Sequence, residues 1–154
     1  PLHSSAIAAG ELITPVVITS AVQLALLGAM AGFVAEARLE VAVAAAFVVP
    51  FNFLLFGLEN LFFLLFPTRT LHPTPGDFQS FGRQMVVMIA KMVLLGLCAG
   101  VAALPGLLAY WLSGWRWPAF ALGSWLALVL QAIAVVPFVA WAYRRFDVSM
   151  DTPV

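Results

Sequence analysis

Glu59 and Lys91 have the most unusual setting in this sequence, because each stands inside a long apolar run. An ionisable group at membrane depth is costly to bury and commonly marks a functional site. Glu59 could bind a proton or a solute, or it could form an ion pair with Lys91. With a helical rise of 1.5 Å per residue, both lie about 10 Å from the same end of their runs. We therefore expect the pair to form and to join the second and third helices. The proton or solute site stays as the alternative.

Uncharged amides also interrupt the apolar runs. Asn60 follows Glu59 directly, and Asn52 precedes it by about two helical turns. Gln23 and Gln131 stand alone in the first and last runs. Such amides usually form hydrogen bonds between helices, at about 1 kcal/mol or less each. Glycine pairs at four-residue spacing indicate close helix approach, and they are Gly28 with Gly32 and Gly96 with Gly100.

The motifs of several enzyme classes are missing from the sequence. Lys91 lies between Ala90 and Met92, whereas a phosphate-binding loop needs glycine before the lysine and Ser or Thr after it. The two histidines, His3 and His72, fall outside the apolar runs and far apart, so no metal-ligand cluster is indicated. We expect no enzyme activity, cofactor or metal in this chain. A net charge of zero with a single lysine also argues against nucleic-acid binding.

The composition is that of a membrane protein. Hydrophobic residues make up 64% of the 154 residues and charged residues 9%, against about 45–50% and about 25% in soluble domains. A helix needs about 20 apolar residues to cross the hydrocarbon core of a bilayer. Four runs reach this length, so the sequence predicts an all-α integral membrane protein with a single transmembrane domain. The predicted spans are residues 12–34, 41–66, 85–112 and 117–143.

The longest link joins the second and third spans, at residues 67–84. Prolines break the chain there, and Asp77 can cap a helix that starts after it. Apolar residues from Phe78 onward recur at helical spacing. This pattern predicts a short amphipathic segment on the membrane surface, or an early start of the third helix. Pro105 with Gly106 could end that third helix before residue 112.

The distribution of arginine and lysine predicts an orientation, because positive charge is retained in the cytoplasm. Basic residues concentrate on the side that holds both ends and the 67–84 link, and they are Arg69, Arg83, Arg144, Arg145 and, nearby, Lys91. The opposite side carries Arg38 and Arg116. We therefore expect both ends of the sequence and the 67–84 link to be cytoplasmic.

Several short motifs occur together in the last two thirds of the sequence. They are Pro50-Phe51-Asn52, Leu58-Glu59-Asn60-Leu61, Leu65-Phe66-Pro67-Thr68-Arg69, Gly76-Asp77-Phe78-Gln79, Gly82-Arg83-Gln84, Tyr143-Arg144-Arg145-Phe146-Asp147 and Asp151-Thr152-Pro153. Over about residues 45–153 the sequence resembles the C-terminal half of bacterial ABC exporter permeases. The resemblance implies a location in the bacterial inner membrane and further spans before these four. Because the chain begins at Pro1 rather than at a methionine, we expect a fragment of a longer permease.

The resemblance also implies partners and a mechanism. Permeases of this family work as dimers in the lipid bilayer, and a separate cytoplasmic ATP-binding subunit hydrolyses the ATP. Export would proceed by alternating access, and the 67–84 link would contact the ATPase. The contact residues expected in this region are Arg69, Asp77, Phe78, Phe81 and Arg83. Two other functions stay open. One is a proton-coupled secondary transporter that uses Glu59, and the other is a non-transport membrane subunit for assembly or anchoring.

Overall fold

Four long helices make up nearly all of the described protein. The computed structural model describes residues 4–66 and 78–145, together with their side chains except those of residues 4–8, 35, 78–80 and 83. The helices are α1 (Ser4–Phe33), α2 (Arg38–Leu65), α3 (Phe78–Leu112) and α4 (Trp117–Arg145). A short 3-10 turn at Ala35–Ala37 joins α1 to α2.

Each helix contains a stretch that is long and apolar enough to cross a bilayer. The stretches are Ala9–Phe33, Arg38–Leu65, Gln84–Leu112 and Trp117–Arg145. At 1.5 Å per residue, each exceeds the roughly 30 Å of the hydrocarbon core. The prediction of an all-α, multi-pass membrane protein is therefore confirmed. The first two apolar stretches begin three residues before the predicted spans, and they therefore include Glu11 and Glu40.

The outer faces of the helices are apolar, as contact with lipid requires. On α3, large apolar side chains that are more than half exposed recur along the helix, and they are Val86, Val93, Leu97, Leu104 and Leu108. In water, a continuous apolar surface along a whole helix would cause protein molecules to associate, whereas a bilayer covers such a surface with hydrocarbon. α1 and α3 contribute few buried residues, and α2 and α4 contribute most of them.

α4 is the central helix of the bundle, because it packs against α1, α2 and α3, whereas α2 and α3 have only a small contact. Its buried stripe recurs at three- and four-residue spacing, as the helical period requires, and comprises Ser124, Leu128, Ala132, Val135, Val139 and Ala142. Small and β-branched side chains let neighbouring backbones approach closely. In a membrane this close packing takes over the role that the hydrophobic effect has in water.

Three glycines mark the closest helix contacts. A Cβ added at Gly57 of α2 would stand 2.5 Å from Val135 Cγ1 of α4. One added at Gly123 of α4 would stand 2.9 Å from the Pro105 carbonyl oxygen and 3.0 Å from the Cα of Gly106 on α3. The glycine pairs singled out by spacing are not used in this way. Within the described part of the chain no neighbouring helix comes within 4 Å of a Cβ built at Gly28, Gly32, Gly96 or Gly100.

A hydrogen bond from α4 compensates for the proline in α2. Pro50 has no N–H, so the carbonyl of Ala46, four residues earlier, loses its helical donor. The Trp125 indole Nε1 donates a hydrogen bond to that carbonyl at 2.8 Å. The proline is thus accommodated by a specific contact between α2 and α4, which also fixes how these two helices are aligned.

α3 is one continuous helix from Phe78 to Leu112. It passes through Pro105, so the prediction that the Pro-Gly pair could end the helix is wrong. The helix begins before the apolar stretch that starts at Gln84, in agreement with the early-start alternative. Whether residues 78–83 also lie on the membrane surface stays a prediction, and residues 67–77 lie outside the described part of the chain.

The link between α3 and α4 is a tight turn stabilised by aromatic side chains. Gly114 and Trp115 have positive φ values of 70° and 67°. This conformation is easy for glycine but costs about 1–2 kcal/mol for other residues. The Trp115 ring packs against Tyr110 and Trp111, with ring centres 5.2 Å and 5.8 Å apart, and its backbone N–H donates to the Tyr110 carbonyl at 2.9 Å. These contacts offset the backbone cost and close the turn.

Candidate functional site

A cleft between α1, α2 and α3 brings together ionisable side chains from three helices. We call it the charged cleft. Its volume is about 490 Å³, and its lining comprises Glu11, Leu12, Pro15, Phe56, Glu59, Asn60, Phe63 and Lys91. Half of these residues are apolar and half are polar or charged, and apolar walls with convergent polar groups are typical of small-molecule binding sites. The small contact between α2 and α3 leaves room for this cleft.

The structure brings Glu59 and Lys91 to the same place, as the sequence predicted. Both side chains line the charged cleft and also a smaller cleft of about 110 Å³ between α2 and α3. No direct ion pair joins them or links either one to another described residue, so the expected pair is not formed. Glu59 is exposed and Lys91 is half-buried. Among the described residues, neither charge therefore has a partner of opposite sign.

Glu11 is the third charged group of the cleft, and it is connected to α4. The Tyr143 hydroxyl donates a hydrogen bond to Glu11 Oε2, which joins the first and last helices beside the cleft. Sequence reasoning missed Glu11 because the first apolar run was taken to begin at Leu12. Glu11 and Pro15 are four residues apart and so share one helix face. Extending the helical pattern one turn toward the N-terminus would have found it.

The charges of the cleft lie near one end of the bundle, which we call the loop end because α2 ends and α3 begins there. Glu59 lies six residues before Leu65, and Lys91 lies seven residues after Gln84, which correspond to about 9 and 10 Å along each helix. Glu11 is two residues inside its span, or about 3 Å. The charged groups of the cleft therefore lie within about 10 Å of this end of the apolar stretches.

A second polar cluster lies at the centre of the bundle. Asn52 of α2 is completely buried, and its Nδ2 donates hydrogen bonds to Ser20 Oγ at 3.0 Å and to Gln23 Oε1 at 2.7 Å on α1. The predicted interhelical role of Gln23 is confirmed. Ser20 was missed, because a serine in an apolar helix usually forms a hydrogen bond with the backbone of its own helix. The sequence around Ser20 gives no other indication of an interhelical bond.

Gln131 of α4 lies at the same depth as this cluster. The spans of α1, α2 and α4 have their centres at residue 21, at residues 51 and 52, and at residue 131. Oε1 of Gln131 and Oδ1 of Asn52 are buried, and neither accepts a hydrogen bond from any described residue. An unsatisfied buried acceptor costs about 1–3 kcal/mol, so a water molecule or another donor at this depth would be stabilised. The predicted interhelical bond of Gln131 is not made through this oxygen.

The residues expected to contact an ATPase are described only in part. Phe81 exposes 63% of its surface near the start of α3. Phe78 is the first residue of α3, but its side chain and that of Arg83 lie outside the described set, as do Arg69 and Asp77 entirely. Their contacts with a partner stay a prediction.

The charged cleft is suited to binding a polar solute. Its two carboxylates accept hydrogen bonds, its ammonium donates them, and the Asn60 amide does both. Within residues 4–66 and 78–145, no group of three or more His, Cys, Asp or Glu side chains is placed to hold a metal ion. The cleft therefore offers directional polar contacts at membrane depth, framed by aromatic and aliphatic walls.

In comparisons with known proteins, no family model, no curated protein and no solved structure matches this chain. The architecture is therefore inferred from the helices alone. Their four apolar stretches are those of a multi-pass, α-helical membrane protein.

Proposed function

We propose that this chain is the membrane-spanning part of a transporter and that the charged cleft receives the solute. The observation that supports this most directly is the meeting of Glu11, Glu59 and Lys91 from three helices around one cleft of about 490 Å³. Charged side chains at membrane depth usually face a pathway or a partner, because lipid exposure of each would cost several kcal/mol. An assembly or anchoring subunit would have no need of such a cleft.

The polar cluster at the bundle centre adds a second observation in support. Solute and ion sites of transporters commonly lie near the middle of the bilayer, between helices. Asn52, Gln23 and Gln131 lie at that depth, and two of their oxygens have unused acceptor capacity in the described bundle. A solute that leaves the charged cleft would therefore find further polar groups deeper in the bundle.

The energy source is the part of the proposal that rests on the resemblance to ABC exporter permeases. In this proposal a separate cytoplasmic subunit binds and hydrolyses ATP, two permease chains form a dimer, and the solute is exported from a bacterial cell. The loop end, both ends of this sequence and the 67–84 link would then face the cytoplasm, and the charged cleft would open toward the interior of the cell.

A proton-coupled transporter is the second candidate, and the absence of an ion pair between Glu59 and any described residue favours it. A carboxylate that takes up and releases a proton must not be held permanently by a cation. Within the described residues Glu59 forms no ion pair, although Lys91 lines the same two clefts. In this mechanism the Glu59 carboxylate carries the coupling proton, and no ATPase takes part.

One purification experiment separates these candidates. The full-length protein is tagged in its native membrane, purified with its bound partners, and assayed for vanadate-sensitive ATP hydrolysis. We expect an ATP-hydrolysing complex whose rate changes in Glu59→Gln and not in Glu40→Gln, an acid on the same helix outside the cleft. Absence of ATP hydrolysis, with proton uptake into proteoliposomes that requires Glu59, would establish the second candidate. Absence of both activities contradicts the transport proposal.

A further inference from the structure

We propose that the charged cleft binds a zwitterion, namely an ammonium group and an anionic group joined by a short linker, as in the head group of an aminophospholipid. The proposal rests on the proposed function only in that it concerns the same cleft.

The charges of the cleft match a ligand that carries both signs. Glu11 and Glu59 bring two carboxylates, and Lys91 brings one ammonium. A purely cationic ligand would be attracted by the carboxylates but repelled by Lys91, and a purely anionic ligand would face two carboxylates. A zwitterion can place its ammonium toward Glu59 and its anion toward Lys91. Charge-assisted hydrogen bonds of this kind are about twice as strong as neutral ones.

The separation of Glu59 and Lys91 leaves room for such a ligand. If the two side chains formed an ion pair, each would satisfy the other and the cleft would have little affinity for a zwitterion. In the described structure they share the walls of two clefts without pairing. A ligand that carries both signs could give each group a charge-assisted hydrogen bond, which Glu59 and Lys91 do not give each other.

The walls and the depth of the cleft favour a ligand with an apolar body. Leu12, Pro15, Phe56 and Phe63 line the cleft between its polar groups. The charged groups lie about 3 to 10 Å along the helices from the ends of the apolar stretches at the loop end, close to the level at which lipid head groups meet their acyl chains. A volume of about 490 Å³ is sufficient for a head group but not for a whole phospholipid. The acyl chains would stay in the bilayer beside the bundle.

Lipid binding by the purified full-length protein tests the inference. Native mass spectrometry in detergent micelles measures how much phosphatidylethanolamine, phosphatidylcholine and phosphatidylglycerol the protein retains. We expect a preference for phosphatidylethanolamine of about tenfold over phosphatidylglycerol, which corresponds to one charge-assisted hydrogen bond. Phosphatidylcholine should bind less well than phosphatidylethanolamine, because its trimethylammonium group has no N–H to donate. Soluble phosphoethanolamine distinguishes a free zwitterion from a lipid: it should compete, but far more weakly than the lipid, since it lacks the apolar body.

Variants connect the preference to the cleft. Glu59→Gln and Lys91→Met should each lower phosphatidylethanolamine retention about tenfold, whereas Glu40→Gln and Arg116→Gln, both exposed and outside the cleft, should not change it. If a single variant fails to fold, the charge swap of Glu59→Lys with Lys91→Glu keeps both signs in the cleft and should restore part of the retention. Equal retention of the three lipids, or equal loss in cleft and control variants, overturns the inference.

The outcomes also separate this inference from the proposed function. Binding is measured without any flux or ATP hydrolysis. A protein that selects the zwitterion but transports nothing contradicts only the proposed function. A protein that transports solutes through the cleft without selecting zwitterions contradicts only the present inference.

Discussion

Substitution of Gly106 by alanine tests whether α3 and α4 are held together by direct backbone contact. A Cβ at position 106 would stand 2.7 Å from the Phe120 carbonyl oxygen and 3.1 Å from Phe120 Cδ2. Ordinary van der Waals separations are about 3.5–4.0 Å, so the helices must move apart by roughly 1 Å at this point. Overpacking of this kind costs about 1–3 kcal/mol, and we expect Gly106→Ala to lower the free energy of unfolding by that amount.

The assay is equilibrium unfolding of the purified protein in mixed micelles, followed by the change in helix content as sodium dodecyl sulfate is added. Gly100→Ala is the matched control, since it lies on the same helix and no neighbouring helix in the described bundle comes within 4 Å of its added Cβ. We expect Gly100→Ala to be neutral. Gly123→Ala should destabilise as Gly106→Ala does, and the double variant should cost less than the two together, because one displacement relieves both clashes. Equal stability of Gly106→Ala and Gly100→Ala would refute the close α3–α4 contact.

Three further predictions follow from the hydrogen bonds and from the topology. Asn52→Ala should lower the free energy of unfolding by about 1–2 kcal/mol, because two interhelical hydrogen bonds are lost; unchanged stability in the same unfolding assay would contradict their role. Trp125→Phe should cost about 1 kcal/mol by leaving the Ala46 carbonyl without its donor, while Trp117→Phe, at an exposed position, should cost little. In a Cys98→Ala background, a cysteine in the 67–84 link should react with a membrane-impermeant thiol reagent in inside-out vesicles only, and reaction in intact cells would reverse the proposed orientation.

The helices could be predicted from the sequence because a membrane span needs only length and apolar composition. The span starts were less certain, since a charged residue next to an apolar run can stand outside the membrane or just within it. The predicted spans left out Glu11 and Glu40, although both helices continue through them. Pro105 was a possible helix end, yet neighbouring helices let α3 continue through it.

The contacts between helices were harder to predict, because spacing along one helix does not identify its neighbour. Gly96 and Gly100 have the spacing of a packing motif but face away from the other described helices, whereas Gly106 and Gly123 meet across α3 and α4 without any such motif. The shared cleft of Glu59 and Lys91 followed from counting residues along two helices. The absence of their ion pair in the described structure could not be derived this way, since it depends on side-chain positions within less than 1 Å or so.

The central claim is that Glu59 lines a cleft that a polar solute can enter from the loop end. The most direct measurement replaces Cys98 by alanine, introduces a single cysteine at position 59, and measures its reaction rate with a charged, membrane-impermeant thiol reagent in inside-out vesicles. Val93→Cys is the matched comparison, because Val93 is 56% exposed on α3 at similar depth but is not part of the charged cleft. The account predicts that the cysteine at 59 reacts at least about tenfold faster, since water-filled clefts admit the reagent and hydrocarbon excludes charged groups. Equally slow reaction at both positions would contradict it.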